Sequence, residues 1–277
     1  MYKRQIPDLA TLRDRAPTLG VARFYGLLAL GWRGEARQWR RFETLSLLLA
    51  GLAVPLVFSV HSMVALDFSE ALVPGWHSTV FPPFFVAGAL FSGFAMVLVL
   101  GIPMRRMLGL RDYITDVHLA NLAKVLLAAG LVVAYGYCTE IFSAFYSMDR
   151  FELAVTLRRM TGAYAWTFWG TILCNVLSIQ LLWSARVRRN HAALFVIALL
   201  VLIGMWLERF MLIVTSLYQD FVPSSWGMYY PTFWDIAFLA GSLGLFLLMF
   251  LLFVRLLPVV SIFELRKLVH KGEVKST

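Results

Sequence analysis

The sequence predicts an all-α protein, a polytopic bundle of six transmembrane helices with its N and C termini in the cytoplasm. The first observation behind this prediction is composition: the 277 residues are 60% hydrophobic and 15% charged, whereas a soluble domain is roughly half apolar and about a quarter charged. The second is six apolar segments of membrane-spanning length, and the third is a strong bias of Lys and Arg to one side of them. This composition excludes a soluble globular domain, a disordered chain and a nucleic-acid-binding protein.

Each of the six segments supplies the roughly 20 mainly apolar residues that a helix needs to cross a bilayer. They are residues 44–66, 80–103, 117–147, 163–185, 192–218 and 232–257. We interpret all six as helices, because the edge of an open β-sheet would leave backbone polar groups unsatisfied in lipid. The third span contains Lys124 and Glu140, and the fifth contains Glu208 and Arg209.

The segments outside the spans are short and basic. Residues 1–43 hold nine of the 25 Lys and Arg residues and no uncharged run of spanning length, which predicts a cytoplasmic or interfacial N-terminal segment. Residues 258–277 are predicted to form a basic cytoplasmic tail. The predicted organisation is therefore a six-helix transmembrane domain at 44–257 between these two flanks.

The distribution of Lys and Arg sets the predicted orientation. One side of the spans receives 20 of these residues, from the two termini and from the connections around 105–111 and 186–189. The other side receives three, all between positions 150 and 159. Because positively charged loops stay in the cytoplasm, both termini are predicted to be cytoplasmic. This topology alone accounts for the formal net charge of +9.

Ionisable residues within the spans concentrate in the predicted outer half of the membrane. His61 lies shortly before the outer end of the first span, and Asp67 follows that end directly. Glu140 and Arg209 lie about 10 and 14 Å from the outer ends of their spans at 1.5 Å per residue, and Asp235 is near the start of the sixth. Because ionisable side chains inside a membrane are costly, these residues are candidates for a functional site. The alternative is a structural ion-pair network in which Arg209 neutralises a neighbouring carboxylate.

Glu208 and Arg209 are adjacent, and adjacent helix positions point about 100° apart. We therefore expect that they cannot satisfy each other and that each has a partner on a different helix. Lys124, in the inner half, is expected to extend its long side chain to the cytoplasmic edge. Two connections that lack Lys and Arg carry the runs VPGW and VPSSW, and we expect their aromatic residues to cover the polar layer.

The sequence offers few groups that could hold a redox centre. Cys138 and Cys174 are isolated, which argues against iron–sulfur ligation and covalent haem attachment. His61 is the one histidine well within a span, and clustered ligands for zinc are missing. We expect the chain to bind no metal and no redox cofactor of its own, but to be able to move protons and to bind a lipophilic molecule.

Six runs along the spans and their connections resemble, in order, the NrfD/PsrC-like integral membrane subunits. They are SVHSMVALDF, VPGWHSTVFPPFFVAGALFSGFAMVL, ITDVHLANLAKV, YAWTFWG, GMWLERFMLIVTSL and PSSWGMYYP. The likeness is closest to the ActC subunits of alternative complex III. Members of this family carry two four-helix bundles with flanking helices, more spans than this chain has. The resemblance therefore implies an N-terminally truncated copy that corresponds to the second bundle.

The resemblance implies a membrane subunit of a respiratory quinol:electron acceptor oxidoreductase in the bacterial inner membrane. The substrate would be menaquinol or ubiquinol, oxidised near the periplasmic face. The partners would be iron–sulfur and haem c subunits that take the electrons, a second NrfD-like membrane subunit and the lipid bilayer. Asp67 and Arg209 match family positions of the quinol site and proton path, with His61 and Glu140 as weaker matches.

The residues have specific expected roles in such a reaction. Quinol oxidation releases two protons and two electrons, so the ring needs a hydrogen-bond acceptor at each hydroxyl and a base. We assign Asp67 first and His61 second as that acceptor, and Arg209 as a cation that stabilises a neighbouring carboxylate. Glu140, Glu208 and Asp235 are predicted to form a proton path.

Two other hypotheses remain open from the sequence. The chain could be a proton-translocating or purely structural membrane subunit of the same kind of complex, without its own quinol site. It could also be a secondary transporter, although no pair of broken helices at mid-depth is visible in the sequence. Quinol titration of the purified protein separates the first hypothesis from quinol oxidation, and substrate uptake into proteoliposomes tests the second.

Overall fold

The computed structural model describes residues 2–76, 78–219, 222–259 and 261–262. The chain forms two compact units. The central unit is Leu56–Tyr229, and the terminal unit combines Met1–Pro55 with Tyr230–Thr277. Every regular element within the described ranges is helical, so the predicted all-α fold is confirmed.

The helices follow one another with short connections. In chain order, the described ranges contain α1 (Tyr2–Asp14), α2 (Leu19–Leu28), α3 (Ala36–Ser69), α4 (Phe81–Met107), α5 (Asp116–Ser147), α6 (Arg150–Thr161), α7 (Ala165–Trp183), α8 (Ala185–Arg189), α9 (His191–Leu217) and α10 (Phe233–Leu256). Helix α3 contributes its residues up to Pro55 to the terminal unit and its residues from Leu56 to the central unit. Helix α7 is irregular, because Ile172–Leu177 is π-helical.

Six of these helices, α3, α4, α5, α7, α9 and α10, are long and apolar enough to cross a membrane. They coincide with the six predicted spans, which confirms the number and order of the spans. The largest difference is at α3, which begins at Ala36 rather than at position 44. Arg, Gln and Glu in the added stretch are good helix formers, so the helix continues past the apolar segment. The orientation of the helices stays a prediction.

Helix α6 occupies a stretch that we had interpreted as a connection. It begins because Asp149 acts as its N-cap: Asp149 Oδ1 accepts hydrogen bonds of 3.0 Å from the amides of Phe151 and Glu152. The helix carries Arg159 into the interior of the central unit, where only 4% of the residue is exposed. A residue counted from sequence as a loop charge is therefore part of the core.

The core of the central unit lies between α4, α5, α7 and α9. Its fully buried side chains include Phe91, Leu98, Leu126, Ile179, Leu194 and Val201. Two glycines of α5 allow the helices to approach closely, as small residues do in membrane bundles. A Cβ at Gly136 would lie 2.3 Å from Cδ2 of Phe84, and one at Gly130 would lie 2.5 Å from Cδ1 of Ile179.

The terminal unit has a small core of its own, formed by Leu9, Ala10 and Ala29. Gln5 donates to the carbonyl of Pro258 at 3.0 Å, and Tyr25 donates to the carbonyl of Leu256 at 3.2 Å. These bonds fasten the first two helices to the end of α10. Helix α2 has 10 residues, too few to cross a bilayer. Its position in the cytoplasm or at the membrane surface stays a prediction.

Candidate functional site

A cavity of about 610 Å³ opens in the central unit between α3, α4 and α9. We call it the α3/α4/α9 cavity. Its wall consists of His61, Val64 and Phe68 of α3, Phe85, Gly88, Ala89, Ser92, Gly93 and Met96 of α4, and Leu202, Met205, Trp206, Arg209, Leu212 and Ile213 of α9. The volume lies within the range of about 300–1,000 Å³ that is typical of small-molecule sites. The wall is mainly apolar, with a few polar groups that can orient a ligand.

Arg209 supplies the positive charge of this cavity. Its guanidinium carbon lies 4.1 Å from the centroid of the Phe85 ring, in a cation–π contact. Atom Nη1 of Arg209 is buried and makes no hydrogen bond to the residues that the structure describes. The arginine is thus held in place by a ring face and retains hydrogen-bonding capacity.

His61 supplies an imidazole to the same cavity. Its Nδ1 lies 2.8 Å from the carbonyl oxygen of Val57. Because a carbonyl only accepts, Nδ1 carries the hydrogen in this contact. In a neutral His61 the other ring nitrogen, Nε2, therefore has a free lone pair and can accept a proton or a hydrogen bond.

Asp67 is exposed and does not belong to the wall of this cavity. Helix geometry gives the reason. His61, Val64 and Phe68 follow one face of α3, whereas Asp67 lies six residues after His61, about 120° away around the helix. The structure therefore brings His61 and Arg209 together and leaves Asp67 on another face of α3.

Glu208 and Arg209 approach each other as an ion pair, but they do not satisfy each other by a hydrogen bond. Each has a partner on a different helix, as expected: Tyr137 of α5 for Glu208 and the Phe85 ring of α4 for Arg209. Atom Nη1 of Arg209 lies 3.6 Å from Oε1 of Glu208. Both side chains are long enough to bend across the angle between adjacent helix positions. A distance of 3.6 Å is longer than a hydrogen bond, so the contact is electrostatic and leaves Oε1 without a hydrogen-bond donor.

Glu208 belongs to a buried polar cluster on the side of α9 that faces α5 and α7. The residue is 3% exposed, and its Oε2 accepts a hydrogen bond from the hydroxyl of Tyr137. That hydroxyl in turn accepts a bond of 2.9 Å from Nδ2 of Asn175. We call these three residues the Glu208 cluster. Asn175 lies in the π-helical turn of α7, a feature that often marks functional sites.

Glu140 belongs to a second cluster, centred on Arg159. Atom Nη1 of Arg159 lies 2.6 Å from Oε1 of Glu140, while Nη2 donates to Gly75 O at 3.0 Å and to Ser216 Oγ at 3.1 Å. Gly75 has φ +84°, and a Cβ there would lie 2.7 Å from Arg159 Nη2. The connection between α3 and α4 can therefore approach the arginine only because glycine occupies this position. We call these residues the Arg159 cluster.

A second cavity of about 690 Å³ in the central unit borders the Arg159 cluster. We call it the acidic cavity. Its wall contains the carboxylates of Glu70, Glu140, Asp149 and Glu152 and the hydroxyls of Ser69, Ser78, Thr79, Ser143, Ser147 and Thr156. A wall of this kind suits water. Glu140 thus has a buried cation on one side and a polar cavity on the other.

The two aromatic connections differ in how they meet the rest of the protein. Trp76 packs edge-to-face on Phe68, with ring centroids 4.8 Å apart, and donates from Nε1 to Leu212 O at 2.7 Å. Both partners are wall residues of the α3/α4/α9 cavity. The connection after α9 is mostly exposed where it is described, and Trp226 there lies over Arg158. We expected the aromatic residues of both connections to cover the polar residues of the spans. The connection that contains Trp76 fits this expectation better than the connection after α9.

Asp235 lies in the terminal unit at the start of α10. Its Oδ2 accepts from the amide of Thr232 at 2.8 Å and from the hydroxyl of Thr232 at 2.7 Å. These bonds form a capping box, which satisfies amides at the beginning of a helix. Its predicted role in a proton path stays a prediction.

The predicted site did not include Tyr137, Asn175 and Arg159 of these clusters. Tyr137 precedes Glu140 by three residues, one helical turn, and could have been identified by that spacing. Asn175 is a polar residue in mid-span, which is costly in lipid and was a usable signal. Arg159 was counted as a loop charge, and nothing in its immediate sequence separates it from Arg158, which is only partly buried.

Among the described residues, no group of three or more His, Cys, Asp and Glu is placed to hold a metal ion. The sequence model of one protein family, described as polysulphide reductase, NrfD, matches residues 18–222. This match includes both cavities and both polar clusters. No curated protein matches the chain.

Proposed function

The chain belongs to the polysulphide reductase, NrfD family, and we propose that it binds and oxidises quinol as a membrane subunit of a quinol:electron acceptor oxidoreductase. The observation that carries the proposal is the α3/α4/α9 cavity, which combines an apolar wall with Arg209 and His61. A quinol has the matching chemistry: an apolar ring and tail with two hydroxyl groups. This cavity favours quinol oxidation over a subunit without its own quinol site.

Each polar group of the cavity has a task in this reaction. The Phe85 face and the guanidinium above it form a flat surface on which a quinol ring can lie. Arg209 donates to the quinol oxygen that gains negative charge as its proton leaves. Neutral His61 takes that proton on Nε2, because Nδ1 already donates to Val57. The exposed Asp67, beyond the cavity wall, accepts the proton next and passes it to water.

The two polar clusters provide a second route for protons. Glu208 takes a proton on the side where Arg209, which stays protonated, lies 3.6 Å from Oε1. Tyr137 connects Glu208 with the interior of the bundle. Glu140, one turn further along α5, passes the proton to the acidic cavity. Asp235 would exchange a proton at the start of α10. The polar atoms along this route support it, and proton release into the acidic cavity completes it.

The cavity and the acidic cavity would lie near the periplasmic face of a bacterial inner membrane. The proposal rests on the bias of 20 Lys and Arg residues against three, which favours cytoplasmic termini. Oxidation of menaquinol or ubiquinol releases two protons there and two electrons. Iron–sulfur and haem c subunits would accept the electrons, since we propose no redox centre in this chain. A second NrfD-like membrane subunit would complete a complex similar to alternative complex III.

Quinone binding tests the proposed function directly. The purified full chain in nanodiscs is titrated with decylubiquinone and, separately, with menadione, and quenching of tryptophan fluorescence is measured, because Trp206 lies in the cavity wall. We expect saturable quenching and at least tenfold weaker binding in Arg209→Leu, which loses a charged hydrogen bond of about 1.5–3 kcal/mol. Lys124→Gln is the control, since Lys124 is exposed and outside the cavity. Quenching that does not saturate, or that is equal in Arg209→Leu, contradicts the proposal.

A further inference from the structure

Asn175 occupies a position that only a glycine on the facing helix permits. The side chain is fully buried in the π-helical turn Ile172–Leu177 of α7. A Cβ at Gly204 of α9 would lie 2.2 Å from Oδ1 of Asn175 and 2.8 Å from its Cγ. Gly204 is one helical turn before Glu208. The amide is therefore held against α9 directly beside the carboxylate that we propose as a proton acceptor.

The contacts of Asn175 favour one orientation of its amide, in which Nδ2 faces Tyr137 and Met205 and the buried Oδ1 makes no hydrogen bond to the described residues. Atom Nδ2 lies 2.9 Å from the hydroxyl oxygen of Tyr137 and 3.5 Å from Sδ of Met205. Sulfur is an acceptor and the amide NH₂ group has two hydrogens to donate, so both contacts suit the nitrogen. The reverse orientation would place Oδ1 against the Met205 sulfur, where no hydrogen is available.

This orientation in turn fixes the single hydroxyl hydrogen of Tyr137. The tyrosine oxygen accepts from Nδ2 of Asn175, and this NH₂ group cannot in turn accept the hydroxyl hydrogen. The hydroxyl hydrogen is therefore directed to its remaining partner, Oε2 of Glu208. The two oxygens of Glu208 therefore differ. Oε2 accepts from Tyr137, whereas Oε1 has no hydrogen-bond donor among the residues that the structure describes and lies 3.6 Å from Arg209 Nη1.

We propose that Asn175 is a positioning residue for proton transfer: it locks the Tyr137 hydroxyl onto Oε2 of Glu208 and so reserves Oε1 as the atom that receives a proton from the cavity side. This inference rests on the proposed quinol oxidation. One quinol hydroxyl gives its proton to His61, the other gives its proton to Oε1, where a new O–H bond forms, and the two electrons go to the acceptor. Tyr137 keeps its own hydrogen while Oε1 is being protonated and acts as a fixed donor in that step.

Infrared spectroscopy can detect the hydrogen bond from Tyr137 to Oε2 of Glu208. When Glu208 is protonated at Oε1, Oε2 is the carbonyl oxygen, and the hydrogen bond from Tyr137 lowers the C=O stretching frequency. The full chain with bound decylubiquinone is cycled between quinol and quinone on an electrode, which takes or supplies the two electrons, and difference spectra are recorded. We expect a carboxylic acid band that is lost in Glu208→Gln.

Two variants then test the positioning role. Tyr137→Phe removes the donor and should shift the band to higher frequency. Asn175→Asp replaces the NH₂ donor by an acceptor of the same size that competes for the Tyr137 hydrogen, so it should shift the band in the same direction. Ser178→Ala is the matched control, because Ser178 lies in the same helix and, within the described part of the chain, its hydroxyl bonds only to the carbonyl of Cys174 in that helix. The control band should not move.

The outcomes separate this inference from the proposed function. If decylubiquinone binds and the Glu208 band stays in place in Tyr137→Phe and in folded Asn175→Asp, the positioning role is wrong and the quinol site stands. A bound quinone without any Glu208 band overturns the inference and the second proton route, while the quinol site stands. If the parental chain binds no quinone, both fall together. Should Asn175→Asp fail to fold, Tyr137→Phe decides whether Oε2 is the locked oxygen, and Gly204→Ala, which displaces Asn175 from α9, decides the role of the amide.

Discussion

Arg159 of α6 and Glu140 of α5 form an ion pair of 2.6 Å in which the arginine side chain is 4% exposed. The same guanidinium donates to Gly75 and Ser216, so one side chain joins α5, α6, α9 and the connection between α3 and α4. A single buried cation thus holds these parts of the central unit together, at the end of the unit that contains the connection between α3 and α4.

Removal of this cation should destabilise the chain more than removal of its partner's charge. Arg159→Leu is expected to lower the free energy of unfolding by roughly 3–5 kcal/mol, the cost of leaving one partner of a buried pair alone. Glu140→Gln should cost less, because the glutamine oxygen still accepts from Arg159. Thermal unfolding of the purified chain in detergent measures both. Arg158→Leu is the control, and an equal loss of stability in the two arginine variants contradicts the structural role of Arg159.

Gly75 should not tolerate a side chain. In Gly75→Ala, the residue would keep φ near +84°, a conformation that costs an L-residue about 1–3 kcal/mol, and its Cβ would lie 2.7 Å from Arg159 Nη2. We expect a lower melting temperature and weaker binding of Arg159 to this connection. Gly101→Ala is the control, because nothing lies within 4 Å of its Cβ and alanine favours a helix. The control should be as stable as the parent or more so.

The predicted topology can be checked with reporter fusions. Fusions in the connections around 105–111 and 186–189 should report a cytoplasmic location, because these connections are basic. Fusions after α9, before Phe233, should report the opposite side. A cytoplasmic signal from that last position would invalidate the orientation, and with it the periplasmic location that we propose for both cavities.

The choice between His61 and Asp67 as first proton acceptor is testable in the assembled complex. We expect His61→Leu to lower turnover with a soluble quinol by about 10²–10⁴-fold, the usual effect of losing a general base. Asp67→Asn should have a smaller effect, since Asp67 lies outside the cavity wall. Co-purification of the partner subunits verifies assembly. A larger loss in Asp67→Asn would return the first role to Asp67.

The spans were predictable because bilayer thickness sets their length, so each apolar run indicates one helix. The ends were less predictable: Asp149 starts α6 through two side-chain hydrogen bonds, inside a stretch where charges suggested a loop. Helix propensity and N-capping set the start of α6, and the hydropathy of the sequence does not indicate it.

The sequence predicted how deep each site residue lies in the membrane, but not which face of its helix it occupies. Depth along each span placed His61, Asp67 and Arg209 in one layer, and the structure groups His61 with Arg209 in one cavity wall. Direction around the helix depends on which face of α3 packs on α4 and α9, and depth alone does not contain that information. The π-helical turn that carries Asn175 has no comparable sequence pattern, since it is a local change of hydrogen bonding.

Three residues of α9 have their tasks fixed by their spacing: Gly204 makes room for Asn175, Glu208 accepts from Tyr137, and Arg209 faces the α3/α4/α9 cavity. An insertion or deletion of one residue between them would turn part of the helix by about 100° and move at least one of the three away from its partner. Substitutions at the exposed Trp206 would not have this effect. Relatives of the chain should therefore align without a gap from position 204 to position 209, even where the intervening residues differ.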